Sequence, residues 1–235
     1  MKKLVYYSCL LIAISCHSQD KEAGKNKPSK DKESPIKIEI PINPKTMQTY
    51  TTERFDIDKY FKNRNEAVGS YEYVGANEEN IVESDIDGYS FFKDITPKNS
   101  LFAIQKEYYK NGALKTSQQA FINNGFIKGN RYEYDETGKL VKVEDRDKPF
   151  KFNWEQVKKY IEQDLKLDFL KDEVTVNNYD GLSGGNPSWD INFKGNYKDV
   201  FGVYYVTLDG ANGELLKVIK ILGRDGEQKI IFEKK

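Results

Sequence analysis

Residues 181–185 fit the G-x-S-x-G pattern of a hydrolase nucleophile elbow, so Ser183 is the first candidate for covalent catalysis. Such an elbow needs a strand before the serine, a helix after it and a histidine that accepts the hydroxyl proton. Here Asp180 and two asparagines precede the motif and Pro187 follows it, which favours a flexible loop. The one histidine of the chain, His17, lies far away in the sequence. We therefore predict that Ser183 is a loop residue and not a nucleophile.

The histidine and cysteine content limits the other kinds of catalytic and metal-binding site. Both cysteines, Cys9 and Cys16, lie near the N-terminus, so the remainder offers no thiolate nucleophile, no disulfide and no histidine- or cysteine-based zinc site. Asp85 and Asp87 begin like a calcium-binding loop, but Gly88 comes too early for one. We predict no metal, no cofactor and no enzymatic activity. A hydrolase that works through two carboxylates is the remote alternative, since the many acids give no means of choosing a pair.

The overall charge bears on the class of partner. The chain holds 37 Lys plus Arg and 37 Asp plus Glu, so it carries no net basic field. Proteins that bind nucleic acid neutralise phosphates with clustered basic residues. We therefore expect no nucleic-acid partner. The 16 Tyr and 13 Phe residues suit the half-buried surfaces of β-sheets.

The N-terminus has the features of an export signal. Lys2 and Lys3 precede an apolar run at 4–14, which is shorter than the roughly 20 residues that cross a bilayer. The run ends in Ala-Ile-Ser-Cys, which resembles the lipobox of bacterial lipoproteins. The resemblance implies that Cys16 carries a lipid and becomes the first residue after cleavage; an ordinary signal peptide cleaved nearby is the alternative. Because residue 17 is His17 rather than aspartate, the resemblance also implies no retention in the inner membrane, so we expect the bacterial outer membrane.

Composition divides the chain into four parts. Residues 1–15 form the signal peptide, and residues 16–45 are rich in Lys, Ser, Pro, Asp and Glu, which predicts a disordered tether. Near the end of the tether, alternating isoleucines at 36–42 indicate an edge strand. The body divides into an antiparallel β region at 46–148 and an α+β domain at 149–235.

The strongest local pattern is a pair of glycine turns between β-prone segments. Asn-Gly at 111–112 is a typical hairpin turn, and a second turn ends in Gly138, 26 residues after the first glycine. Residues 104–145 resemble the variant MORN repeats of bacteria, with Gly125 and Gly129 at internal glycine positions of the repeat. The resemblance implies a sheet that acts as a spacer and binding surface. Proteins with this variant are often labelled antitoxin-like, and no catalytic residue carries over from them.

The pattern changes to helical spacing after residue 149. Asn153 and Gln156 fit a helix capping box, and an apolar stripe follows at Trp154, Val157, Ile161 and Leu165. Two strands are predicted: 188–193, in which apolar and polar residues alternate, and 203–208. Together these segments resemble a PepSY-like domain, which implies a helix followed by an antiparallel sheet; some such domains are thought to restrain peptidases. The resemblance is carried by Trp189, Ile191, Phe193, Tyr204, Tyr205, Val206, Asp209, Gly213, Glu214 and Leu215.

We therefore expect an α+β chain in which an antiparallel β meander of MORN-like hairpins precedes a PepSY-like helix-plus-antiparallel-sheet unit. Trp154 and Trp189 are expected in the core, and Asp209 and Glu214 are expected to shape a turn. The leading functional hypothesis is a non-catalytic, membrane-anchored lipoprotein of the cell envelope that binds another protein. Its sharpest form is an inhibitor or immunity protein directed at a toxin or peptidase; a structural or scaffolding envelope lipoprotein is the alternative. A partner strand could add at a sheet edge, but the sequence does not indicate which edge.

Overall fold

The structure, a computed structural model, describes residues 50–122, 125–223 and 226–235. Within these ranges the chain is mostly antiparallel β-structure, with twelve strands in two sheets and two short α-helices. The predicted signal peptide, the lipidation site Cys16, the tether and the edge strand at 36–42 lie outside the described residues.

The elements follow one another in a simple order. The first sheet contains β1 (Ser70–Val74), β2 (Asn80–Ile86), β3 (Ser90–Thr96), β4 (Phe102–Tyr109), β5 (Leu114–Phe121), β6 (Ile127–Tyr134) and β7 (Leu140–Asp145). The second sheet contains β8 (Val174–Tyr179), β9 (Ser188–Tyr197), β10 (Val200–Asp209), β11 (Leu215–Leu222) and β12 (Glu227–Glu233). Along the chain, helix α1 (Ile57–Asn63) precedes the first sheet. Helix α2 (Trp154–Lys159), which a π-helical turn (Tyr160–Asp164) continues, follows β7 and precedes β8.

The first sheet is a seven-stranded meander, because every strand pairs with its neighbour in sequence. The predicted hairpin turn at 111–112 is confirmed: β4 and β5 are paired, and Tyr109 donates its backbone N–H to the carbonyl oxygen of Ala113 at 2.9 Å. The predicted turn before Gly138 is confirmed between β6 and β7. Gly112 and Gly138 have φ angles of 80° and 85°, a left-handed region that glycine enters without steric cost.

A third glycine turn, which the sequence analysis did not relate to the other two, joins β2 to β3. Gly88 has a φ of 67° and follows Asp87, which is also left-handed. In a meander alternate turns lie at the same end of the sheet, so the turns at Gly88, Gly112 and Gly138 line one end together. The series of glycine turns at this end, which we call the repeat turns, therefore begins one hairpin closer to the N-terminus than the segment 104–145.

The segment 50–55, which we call the N-terminal strap, crosses this end of the sheet. Thr51 donates its backbone N–H to the carbonyl oxygen of Gly138, and Phe55 donates to that of Gly112, both at 2.8 Å. The strap then enters α1, where Asp56 caps the helix by accepting the backbone N–H of Lys59. The chain before the first sheet is thus fastened to the repeat turns one after another.

The second sheet has the strand order β12-β11-β10-β9-β8, and all its pairs are antiparallel. Helix α2 packs on one face of it. The predicted capping box is confirmed, because Asn153 and Gln156 each accept the backbone N–H of the other. The predicted apolar stripe is also buried, with Trp154, Val157, Ile161 and Leu165 all in the core.

The expected α+β fold with a PepSY-like C-terminal unit was wrong, because strands dominate the described residues and the helices are short. The stripe at 154–165 is wound partly as an α-helix of six residues and partly as a π-helical turn of five. Lys166 then adopts a left-handed φ of 57°, which ends the helical segment. The predicted strands at 188–193 and 203–208 belong to β9 and β10, which are ten residues each.

The larger of two apolar clusters joins the two sheets. It contains Phe121 from β5 and Phe126 beside β6, together with Trp154 of α2 and Trp189 of β9. Both tryptophans are buried as predicted, and Trp189 donates its indole N–H to the carbonyl oxygen of Phe152 at 2.8 Å. The two sheets therefore share one core. The smaller cluster lies under α1 and contains Phe55, Tyr60, Phe91, Tyr108 and Leu114.

Candidate functional site

The motif around Ser183 forms a loop between β8 and β9, as the sequence predicts. The loop is closed by its own backbone, since Gly184 donates its N–H to the carbonyl oxygen of Gly181 at 3.0 Å and accepts the hydroxyl of Tyr179. No helix follows Ser183, and the chain passes directly into the next strand. The geometry of a nucleophile elbow is therefore absent from this loop. The lipidation site Cys16 lies outside the described residues.

The acids that the sequence singled out shape turns. Asp209 accepts the backbone N–H groups of Ala211 and Asn212 at 2.7 and 3.1 Å, so its side chain shapes the turn as predicted. The side chain of Glu214 instead forms an ion pair with Lys234. In the turn at 85–88, Asp85 is likewise committed to the Tyr60 hydroxyl and the backbone N–H of Gly88. Across the described ranges, no group of three or more His, Cys, Asp or Glu side chains could hold a metal ion.

One acid is buried in the part of the chain that the structure describes, and it belongs to a charged network on the first sheet. Glu83 accepts the Tyr73 hydroxyl at 2.9 Å and forms an ion pair with Lys93 at 3.1 Å. Burial alone lowers the pKa of Lys93, but the hydrogen bond and the charge of Glu83 raise it above the ordinary value. A second pair, Lys106 with Glu53 at 2.7 Å, lies beside the first, because Lys93 and Lys106 are direct cross-strand neighbours.

This network ties elements together and offers no reactive group. The Tyr108 hydroxyl donates to Glu53 at 2.7 Å, and burial together with that negative charge raises the pKa of Tyr108. Glu53 is part of the N-terminal strap, so the second ion pair fastens the strap to β4. The Oε2 atom of Glu83 is buried without a hydrogen-bond partner among the described groups. Lys93 nevertheless has Glu83 as its partner, and Lys106 has Glu53, so both lysines are used in structural ion pairs.

Two of the cavities among the described residues bear on a carboxylate-dependent mechanism. The first, of about 520 Å³, lies where the sheets meet, with Phe121 and Phe169 on its apolar side and Glu173 and Lys194 among its polar groups. The second, of about 640 Å³, lies beside α1 and includes Arg64. A carboxylate-dependent hydrolase needs two acids that face one cleft. Asp172 and Glu173 line the first cavity and Asp85 and Asp87 line the second, but none of these four acids is buried. Glu83, the buried acid, lines neither cavity.

The most unusual surface is the face of the second sheet that points away from α2, which we call the outer face. On β10, Tyr204, Val206 and Leu208 are buried in the core, so the alternate residues point outward. Three of those outward residues, Phe201, Val203 and Tyr205, are apolar as well, and Thr207 is polar. The outer face at β10, β11 and β12 presents Phe201, Val203, Tyr205, Ile219, Ile221 and Ile230.

The register makes these residues one continuous patch. Tyr205 lies opposite Ile219, and Ile219 lies opposite Ile230, so one apolar row crosses three strands. A second row joins Val203, which also lines the first cavity, to Ile221. The side chains of Phe201, Tyr205 and Ile230 are 64%, 42% and 53% exposed. An exposed antiparallel sheet face is usually polar, so this patch indicates a surface that is covered by another molecule.

A polar rim borders the patch. On the β9 side, Asn192 lies opposite Tyr205, and Asp190 accepts the hydroxyl of Thr207 at 2.7 Å. At the other border, Lys217 and Glu233 form an ion pair at 2.7 Å. An apolar centre with a polar rim that contains both charge signs is the usual composition of a protein–protein interface.

Strand β12 forms one edge of this sheet, and β8 forms the other. Strand β12 pairs with β11 alone, and all seven of its residues are exposed. Ile230, Ile231 and Phe232 give it three consecutive apolar residues. An uncovered apolar edge strand is a surface on which a further strand adds, and natural proteins usually protect such edges.

The sequence analysis missed both the outer face and β12. A sequence indication of the outer face exists, because residues 203–208 are apolar at almost every position rather than at alternate positions. In an antiparallel sheet that pattern means that both faces of the strand are apolar. For β12 the indication is the short run Ile-Ile-Phe at 230–232 between charged residues.

No known protein family, curated protein or solved structure matches this chain. The resemblance to variant MORN repeats at 104–145 therefore stays a prediction. None of the described helices is long and apolar enough to cross a membrane.

Proposed function

We propose that the protein is a non-catalytic lipoprotein, anchored through Cys16 in the bacterial outer membrane, that binds another protein through the outer face of its second sheet. The observation that carries the proposal is the continuous apolar patch around Phe201, Tyr205 and Ile230. The lipid anchor and the envelope location rest on the sequence at 1–17.

The composition of the patch supports a protein partner. Phe201 and Tyr205 are large, exposed aromatic side chains, and residues of this kind supply much of the binding energy at protein interfaces. The isoleucines beside them lie on adjacent strands of a sheet, so they are held in fixed positions. A rigid, preordered surface loses little conformational entropy when it binds.

The charged rim favours a protein over a lipid bilayer. A surface that lies on an anionic membrane usually combines apolar side chains with a basic border. Here two rim positions have an acid beside them, Lys217 with Glu233 and Thr207 with Asp190, and Lys194 lies opposite Val203. The border is therefore mixed in charge, which suits a polar protein rim.

Inhibition of a toxin or peptidase is the most specific form of this proposal. A rigid sheet face that covers the active site or substrate groove of a partner would block it without any chemistry of its own. The antitoxin-like label of proteins with the variant MORN repeat motivates this form, and a scaffolding lipoprotein is the competing form. An activity assay of the partner separates the two.

The test is an affinity capture from envelope and secreted fractions with two matched protein variants. The patch variant carries Phe201→Ser and Tyr205→Ser. The control carries Val74→Ser and Tyr89→Ser, which remove exposed apolar side chains from β1 and from the turn between β2 and β3. We expect a stoichiometric partner to be captured by the wild type and the control and to be lost by the patch variant. Equal capture by all three proteins would refute the outer face as the docking surface.

Two further readouts decide the class and the consequence of binding. Co-sedimentation of the purified protein without its lipid with anionic vesicles tests the membrane alternative, and patch-dependent sedimentation would overturn the protein proposal. If a captured partner is a toxin or a peptidase, a loss of its activity on addition of the wild type, but not of the patch variant, supports the inhibitor form. An unchanged activity supports the scaffold form.

A further inference from the structure

Strand β12 lies at the border of the outer face, and it combines a free edge with an exposed lysine, Lys229, that forms no ion pair among the described residues. We propose that it binds an extended segment of the partner as a sixth strand, and that Lys229 selects a segment with an acidic residue at the facing position. This inference rests on the proposed function and names the chemistry of the partner's docking segment. Main-chain hydrogen bonds would supply affinity, and the facing side chains would supply selectivity.

The edge is free for such an addition along its whole length. β12 pairs with β11 on one side, and no described strand lies on its other side. Between Glu227 and Ile230 the pairing with β11 is regular, and the register shifts only beyond Ile230. The regular part therefore presents an ordinary extended backbone to a partner strand.

Lys229 lies opposite Lys220, which places two like charges face to face on neighbouring strands. Such pairs destabilise a sheet. The ammonium group of Lys220 donates to the carbonyl oxygen of Phe201 at 3.0 Å and lies 5.6 Å from the ring of Tyr204, so Lys220 is held towards β10. No ion pair joins Lys229 to any residue in the described ranges.

The other charges near the end of β12 are already paired. Glu233 forms an ion pair with Lys217, and Lys234 forms one with Glu214. Glu227, two residues before Lys229, forms no ion pair with it. Lys229 is thus the lysine of this strand whose charge is left for a partner to neutralise.

A lysine on an edge strand and a shift of register both hinder the addition of ordinary strands, which protects proteins from aggregation. An acid opposite Lys229 reverses that effect, because it neutralises the like-charge pair with Lys220 instead of adding to it. Repulsion of the wrong segments together with attraction of the right one is how selective interfaces arise. The occupant is therefore an extended, apolar segment that contains one Glu or Asp.

The position of Ile230 joins this edge to the docking surface. Ile230 follows Lys229 and belongs to the apolar row of the outer face with Ile219 and Tyr205. A segment bound along β12 therefore continues onto the outer face through its next outward side chain. The edge would fix the orientation of the partner, and the patch would supply most of the buried apolar area.

The experiment measures the binding of defined peptides to the full-length protein by fluorescence anisotropy. The probes are three eight-residue peptides of alternating valine and threonine with a central Glu, Gln or Lys. We expect the Glu peptide to bind roughly fivefold more tightly than the Lys peptide, because one makes an attractive cross-strand pair and the other a repulsive one. The variant Lys229→Glu should reverse that order. Lys62→Glu on α1 is the control with the same change of net charge, and it should leave the order unchanged.

The outcomes separate this inference from the proposed function. Equal binding of the Glu and Lys peptides, no binding of any peptide, or a preference that persists in Lys229→Glu overturns the edge-strand inference. The outer face stands in those cases if the capture of a partner still depends on Phe201 and Tyr205. If the peptides bind as expected but no patch-dependent partner is found, the proposed function fails and the edge selectivity remains.

Discussion

Thr51 donates its backbone N–H to the carbonyl oxygen of Gly138 at 2.8 Å, and a Cβ atom on Gly138 would collide with the carbonyl oxygen of Thr51. The glycine that forms the hairpin turn is thus also the surface on which the N-terminal strap lies. Four residues further on, Phe55 makes the corresponding bond to Gly112. The repeat turns therefore serve to fasten the chain that leads in from the predicted membrane anchor.

Replacement of Gly138 tests this relationship. We expect Gly138→Ala to lower the free energy of unfolding by about 3 kcal/mol or more, because the alanine would combine a left-handed φ with a clash against the strap. Gly129→Ala is the matched control, since Gly129 has a φ of 70° but no atom within 4 Å of the added Cβ. It should cost about 1–2 kcal/mol. Urea denaturation measures both values, and equal costs would contradict a role of the strap contact.

The turns were predictable from sequence because their geometry depends on local residue types. Asn-Gly at 111–112 and the turn at Gly138 need left-handed backbone, which few residues other than glycine and asparagine adopt. The cap at Asn153 was predictable for the same reason, since its partner Gln156 lies three residues away. Interactions between residues that are close in sequence can therefore be predicted from the residue types alone.

The fold class and the docking surface depend on contacts between distant residues, so the sequence indicated them poorly. The predicted apolar stripe from Trp154 to Leu165 is present and buried, but it covers a sheet of five strands, so most residues of this part of the chain are in strands. The outer face depends on which of two apolar sets on β10 meets the core. That choice is made by tertiary packing against α2, which places Tyr204 inside and leaves Tyr205 outside.

Phe121 should couple the two sheets, because it lies on β5 and contacts Trp154 of α2. We expect Phe121→Ala to lower the free energy of unfolding by about 3–5 kcal/mol, the usual cost of truncating a buried phenylalanine. Tryptophan fluorescence, which reports on Trp154 and Trp189, and far-UV circular dichroism should still give one coincident transition. Val141→Ala, at an exposed position of β7, is the control and should change stability by no more than about 0.5 kcal/mol. Separate transitions for the two probes would contradict a shared core.

The proposed anchor gives a prediction for Cys16. Cys16→Ser should remove the lipid and release the protein from the membrane fraction, because the proposed lipid is attached to the sulfur atom of Cys16 and serine has no sulfur. Cys9→Ser, inside the predicted signal peptide, should retain both the lipid and the membrane location. Metabolic labelling with a radioactive fatty acid, followed by cell fractionation, measures both effects. Labelled protein in the Cys16→Ser strain would contradict the lipoprotein hypothesis.

Removing one partner of the buried pair Glu83–Lys93 should lower the free energy of unfolding strongly, whereas removing both charges should lower it much less. Glu83→Gln leaves the Lys93 ammonium group without its carboxylate in a half-buried position, so we expect a loss of about 3 kcal/mol in the free energy of unfolding. The double variant Glu83→Gln, Lys93→Met removes both charges and should regain most of that loss. A double-mutant cycle measures the coupling between the two residues. Additive losses would show that the pair contributes nothing beyond its separate side chains.

The same pair makes stability depend on alkaline pH in a defined direction. The folded-state pKa of Lys93 lies above its ordinary value through the hydrogen bond and charge of Glu83, which outweigh its burial. A lysine with a raised folded-state pKa stabilises the protein fully below its unfolded value of about 10.4, and that stabilisation is lost as the pH rises through the folded value. The free energy of unfolding, measured by urea denaturation from pH 8 to 11, should therefore decline in the wild type. It should decline less in the Glu83→Gln, Lys93→Met variant. The free energy of unfolding of Lys62→Met, a change at an exposed position of α1, should decline with pH as that of the wild type does. The same pH dependence in the wild type and the double variant would refute this role of Lys93.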